Sequence, residues 1–163
     1  MDNRIRNTIY NHFPIHTIFQ TNLSGKVSLN YGGIYADLDF KCLKPFDSLL
    51  KKYNNYDIIL GRMGHDKNMG HSIPNALMIS KPNCDFWLHV IKEMKKRVNK
   101  ASPEYDTGPV LLKNCVDSYK GSNKIKILDT TYFYPINWTK NVDQKERSNI
   151  IRSKNINNNK FKK

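Results

Sequence analysis

Apolar and polar residues alternate without a break from Ile34 to Lys41. Ile34, Ala36, Leu38 and Phe40 fall on one side, and Tyr35, Asp37, Asp39 and Lys41 on the other. A period of two belongs to a strand with one buried face, so both acids are expected to point the same way from its wet face. Gly32 and Gly33 stand directly ahead, where missing side chains allow a sharp turn or a close backbone approach to a ligand. Pro45 then opens a short helix over Phe46 to Tyr53, and Asp57 to Leu60 reads as a second strand. A loop from Gly61 to His71 leads past Pro74 to a third strand, Ala76 to Ser80. Asn83 is placed to cap the next helix, on which Trp87, Ile91, Met94 and Val98 recur at helical spacing. Asp85 near its start and Lys95, Lys96 and Arg97 near its end match the helix dipole. Thr107, Gly108 and Pro109 begin another helix, whose apolar face is Leu111, Leu112, Cys115, Val116 and Tyr119 before Gly121 ends it. Ile125 and Ile127 alternate with lysines in a last strand, and the aromatic run Tyr132, Phe133, Tyr134, Pro135, Trp138 follows. Strands alternating with helices predict a layered α/β domain.

A chain of 163 residues supports one such domain. It is expected to occupy residues 23–138, after a poorly defined leader over 1–22. From Thr139 to Lys163 the sequence is rich in Asn and Lys and has no period, as in a disordered basic tail. No stretch approaches the length of a membrane span, and the N-terminus lacks the apolar middle of a secretory signal, so a cytoplasmic or peripheral location is the default expectation. Cys42, Cys84 and Cys115 form no Cys-x-x-Cys pair and read as buried small side chains. The net charge of +13 predicts attraction to phosphate-bearing partners: nucleotides, anionic lipid or nucleic acid. The tail holds eight Lys or Arg against two acids, so nearly half of that excess is peripheral.

Asp37 and Asp39 are the candidate chemistry. Two carboxylates on one strand face lie about 6.5–7 Å apart along the chain and could share a Mg²⁺ or Mn²⁺ ion with substrate phosphates and waters. For an isolated pair an ordinary solvated strand face is the commoner explanation; here the Gly-Gly turn into a half-buried strand changes the odds. An EF-hand is excluded, because the Gly at the sixth loop position and the Glu at the twelfth are absent. A phosphatase of the haloacid-dehalogenase type would need an uninterrupted apolar strand ahead of the first Asp, where Gly32 and Gly33 stand instead. His12 and His16 have a zinc-helix spacing, but Pro14 lies between them and no Glu follows His12.

The segment Tyr31 to Asp39, followed by Leu43, Lys44, Pro45 and Phe46, resembles the DXD sugar-binding region of family 32 glycosyltransferases. These include fungal mannosyltransferases acting on inositol phosphoceramide or N-glycans, and globoside-type galactosyltransferases. Three further blocks in order are similar to the family's: Ser72 to Ala76 with Ser80, Lys81, Pro82, Phe86 and Trp87; Thr107 to Pro109; and Phe133 to Trp138. The resemblance implies a Rossmann-like glycosyltransferase A-type fold with a mixed sheet, a nucleotide-diphospho-sugar donor, a glycan or glycolipid acceptor, Mn²⁺ or Mg²⁺, and hexosyl transfer with retention. It implies Asp39 as the direct metal ligand and Asp37 as a contact to donor and metal shell, both counted as catalytic. Gly32, Gly33, Tyr35, Asn75, Gly108 and Pro109 would line the donor, and Tyr134 and Trp138 would stack on a sugar, although a closing aromatic cluster is the commoner use for such residues.

Relatives place a further βαβ segment ahead of the DXD strand, where this chain has 36 residues before Asp37. The chain is therefore expected to be an N-terminally truncated transferase. Two other readings stand beside an active enzyme: a remnant of low activity that binds metal and nucleoside diphosphate only, and a basic protein that binds nucleic acid or an anionic membrane.

Overall fold

A computed structural model describes residues 30–38, 40, 42–64, 66–97, 102–135 and 149. The expected leader and nearly all of the expected tail lie outside the described residues. The described chain is an α/β unit in the order β1 (Gly33–Ala36), α1 (Asp47–Lys52), β2 (Ile58–Gly61), β3 (Leu77–Ser80), α2 (Asp85–Arg97), α3 (Pro103–Asp106), α4 (Pro109–Ser118), β4 (Ile125–Leu128) and α5 (Thr130–Phe133). The four strands form one mixed sheet in the order β1-β3-β2-β4. β3 runs antiparallel to both β1 and β2, and β2 pairs parallel with β4. Hence β1, β2 and β4 all point one way, and their C-terminal ends share one edge.

The two central strands are buried on both faces, which is why Ile-Ile-Leu-Gly and Leu-Met-Ile-Ser read as continuous rather than alternating runs. One face carries Ile58, Leu60 and Met78 against Phe86, Trp87 and Val90 of α2 and Leu111, Leu112 and Cys115 of α4. The other face carries Ile34, Ile59, Leu77, Ile79 and Leu128, with Phe46, Leu49 and Leu50 around α1 and Phe133 of α5 packed against it.

Several expectations need correction. β1 stops at Ala36 rather than continuing to Lys41, and Leu38 is 68% exposed rather than buried. Among the described residues its only neighbour in the sheet is β3, whose own strand begins at Leu77, so beyond Asp37 no described ladder partner remains. The chain turns instead, and the Phe40 N–H donates to the Asp37 carbonyl at 3.1 Å. That turn brings Phe40 back to the core, edge-on to Tyr134 with ring centroids 5.8 Å apart. Asn83 does not cap α2. It takes the left-handed conformation at φ 59°, which Asn tolerates, and the Phe86 N–H in the first turn is satisfied by the Asn123 side chain at 3.0 Å. Of the expected stripe Trp87, Ile91, Met94 and Val98, Trp87 is buried and Met94 packs against the core, Ile91 is only half-buried, and Val98 lies outside the described residues; Phe86 and Val90 complete the buried face. α4 ends at Ser118, ahead of Gly121. Cys42 is exposed, unlike Cys84 and Cys115.

Candidate functional site

Open α/β sheets present ligand sites beyond the carboxyl ends of their strands. Here that edge carries Asp37 after β1, Arg62 after β2 and Asp129 after β4, with Asn75 and Ala76 leading into the antiparallel β3. α2 leaves the opposite edge and α4 returns to it, so the N-terminus of α4, with Gly108 and Pro109, belongs to the Asp37 edge as well. The loop between β2 and β3 links them. Gly70 lies against Val110, where an added Cβ would sit 3.6 Å from the Val110 side chain, and His71 Nε2 is 3.7 Å from Glu104 of α3.

Asp37 is held by its backbone and by Tyr35. Its N–H donates to the Ala76 carbonyl at 2.8 Å, extending the β1–β3 ladder by one residue. The Tyr35 hydroxyl donates to its Oδ1 at 2.7 Å. Two residues apart on extended backbone, Tyr35 and Asp37 share a face, the one on which α2 and α4 pack. Burial, the hydrogen bond to Asp37 and its negative charge all push the Tyr35 phenol well above its ordinary pKa. Tyr35 is therefore a permanent donor that fixes one carboxylate oxygen. The carboxylate itself is exposed, and among the described residues Oδ2 has no hydrogen-bond partner.

Asn75 flanks this pair. The segment around it is clamped by Tyr134, whose hydroxyl accepts from the Leu77 N–H at 2.7 Å and lies 3.4 Å from the Pro74 carbonyl. Asn75 is half-buried and makes no side-chain hydrogen bond to the described residues, so its amide is available at the edge. Tyr134 is not available: it is buried among Phe40, Phe133 and Gly61. Its ring is covered by protein, which removes it as a sugar-stacking surface. Trp138 and Asp39 lie outside the described residues.

Gly32 just ahead of β1 and Gly33 at its start stand at the far edge from Asp37, since four residue steps along the strand, about 13 Å, lead from Gly33 to it. Gly32, at φ +62°, ends the helical pair Asn30 and Tyr31, and a Cβ there would meet Pro82 N at 2.5 Å. Its close approach is to the end of β3, not to a ligand. Gly108 is also fixed by packing, because a Cβ would sit 2.7 Å from the Glu104 Cα. Of the expected donor-lining residues, then, Tyr35, Asp37, Asn75, Gly108 and Pro109 converge on one edge, whereas Gly32 and Gly33 do not.

Arg62 was not singled out by the sequence. It is a lone Arg after Leu60 and Gly61, outside any period, and only the register reveals it. Its N–H donates to the Leu128 carbonyl at 2.9 Å, and its Nη1 is buried with no hydrogen-bond partner among the described residues. Cys84 and Cys115 offer no nucleophile here: burial raises Cys84 and pushes Cys115 up to about 12.

Residues 27–56 match the family described as a glycosyltransferase sugar-binding region containing a DXD motif. The matched segment runs through β1, the Asp37 turn and α1, so it contains the carboxylate pair. No curated protein and no solved structure matches the chain. Among the described residues no group of three or more His, Cys, Asp or Glu side chains could hold a metal ion, and no helix is long and apolar enough to cross a membrane. A shell of one or two carboxylates completed by phosphate oxygens and water is what Mg²⁺ and Mn²⁺ accept in phosphate chemistry. An exposed Asp37 with one oxygen anchored and the other unengaged fits that shell.

Proposed function

We propose that the chain is the donor-binding part of a glycosyltransferase that moves a hexose, with retention, from a nucleotide-diphospho-sugar to a glycan or glycolipid acceptor. The observation that carries this reading is the Asp37 carboxylate, anchored by Tyr35 at the ligand edge of the sheet and lying inside the segment that matches a DXD sugar-binding region. Asp37 and Asp39 would hold a divalent ion, Mn²⁺ or Mg²⁺, which supplies Lewis-acid stabilisation of the departing nucleoside diphosphate. Tyr35 keeps Asp37 aimed by donating to one oxygen. Asn75 offers an amide to sugar or ribose hydroxyls beside it, and the N-terminus of α4 at Gly108 and Pro109 offers backbone N–H groups from the helix side of the same edge.

The test is a panel of nucleotide-sugars assayed for Mn²⁺-dependent binding and hydrolysis by the full chain. The reading expects at least one donor to bind only with the metal present. Binding that ignores the metal, or no binding of any nucleotide-sugar, would contradict it.

A further inference from the structure

Arg62 continues the β2–β4 ladder one residue past Gly61. Gly61 faces Phe133 and Tyr134, so alternation turns Arg62 to the other face, which Leu60 and Tyr35 share. In the β2–β3 register Leu60 is opposite Met78, and Met78 is opposite Tyr35 in the β1–β3 register. Extended two residues past its last pair, the β2–β3 register would set Arg62 level with Ala76, whose carbonyl accepts from Asp37 on its far side. Arg62 and Asp37 thus stand at one height on one face, two ladder steps or about 10 Å apart across the ligand edge.

An arginine is always charged and carries five donors in a planar fork. Arg62 is half-buried, but a buried donor such as its Nη1, left without a partner on a charged group, is expensive to keep, and such groups occur where a ligand or ion completes them. Asp129, which the parallel register sets beside Arg62, is exposed, and no ion pair joins the two. The ligand that suits the fork is an oxyanion.

We infer that Arg62 grips the phosphate oxygens of the nucleotide donor from across the site, opposite Asp37. The inference rests on the proposed function and adds to it a residue that binds phosphate without the metal.

The test is calorimetric titration of the full chain with UDP, GDP and inorganic pyrophosphate in Mn²⁺ buffer, together with melting curves, for the unsubstituted protein, Arg62→Met, Arg62→Lys and Asp37→Asn. Arg62→Met should weaken the ligands by about ten- to a hundredfold, as expected for a hydrogen bond to a charged group. Arg62→Lys should fall between, since it keeps the charge and loses the fork. The melting temperature of Arg62→Met should be unchanged or higher, because no described group depends on the buried Nη1. Unaltered affinity in Arg62→Met, alongside a loss in Asp37→Asn, would overturn the role of Arg62 and leave the proposed function standing. A lowered melting temperature with full affinity in Arg62→Lys would assign Arg62 to the fold instead. Failure of the unsubstituted protein to bind either nucleotide would remove both readings.

Discussion

Leu38 shows how one residue decides the shape of the site. Its place in an unbroken alternation puts it inside, yet it is 68% exposed because the chain turns at Asp37. Leu38→Ala should therefore change stability by less than about 0.5 kcal/mol, measured by urea unfolding. A loss of about 2–5 kcal/mol would mean that the strand continues and Leu38 is buried after all. Tyr35→Phe tests the anchor of Asp37. Removing one hydroxyl that donates to a carboxylate should weaken metal-dependent nucleotide binding by about two- to tenfold with little change in melting temperature. An unaltered affinity would show that Asp37 needs no such anchor. At this scale the sequence singled out the carboxylate pair and Asn75 as candidates, because motif and neighbours mark them; Asp37 and Asn75 fall at one edge of the sheet, and Asp39 lies outside the described residues. It concealed Arg62, whose significance lies in a register between strands distant along the chain, and it left Tyr134 between a sugar-stacking face and the commoner closing cluster, where burial puts it, because an aromatic run reads the same whether it closes a core or lines a cleft.

The elements were legible where burial imposes a period or a run. β2, β3 and β4 fall within a residue of expectation, and α2 and α4 form where their apolar spacing and first-turn residues place them. β1 was read too long because alternation reports side-chain preference, whereas a strand also needs a partner. α3 and α5 have four residues each, too few for any period to show. Their signals are local, such as Ser102 accepting from the Tyr105 N–H ahead of Pro103. At the edge away from the site, Asp57 ties three strands together. Its Oδ2 accepts from the Lys124 N–H at 2.9 Å, and its Oδ1 lies 3.1 Å from Lys81 Nζ. The backbone hydrogen bond from Lys124, aided by Lys81, holds its pKa below the ordinary 3.8. A depressed carboxylate pKa stabilises the fold above the unfolded value and is lost as pH falls through the folded value. The melting temperature should accordingly drop as pH falls below about 4, and Asp57→Asn should flatten that part of the profile. An unchanged acid limb would show that Asp57 contributes nothing through its charge. Gly32→Ala tests the entry to β1. A left-handed φ and backbone contact at 2.5 Å should together cost more than about 1 kcal/mol. A neutral substitution would mean that β1 enters the sheet by another path.

The whole molecule puts two tasks on opposite edges of one sheet. The edge with Gly32, Asp57 and Lys81 is closed by backbone contacts and an ion pair, while the edge with Asp37, Asn75 and Arg62 retains polar groups that no described residue satisfies. The overall charge of +13 favours the approach of an anionic ligand to the protein, and a long-range field of this kind acts on encounter more than on affinity. Added salt should therefore slow association while leaving a metal requirement intact. The most direct measurement is titration of a nucleoside diphosphate into the full chain with and without Mn²⁺, comparing the unsubstituted protein with Asp37→Asn and Asp39→Asn, each shown to be folded by its melting curve. The account predicts binding that requires Mn²⁺ and is lost in both variants while their melting temperatures stay close to that of the unsubstituted protein. Metal-dependent binding that survives in folded Asp37→Asn and Asp39→Asn would contradict it.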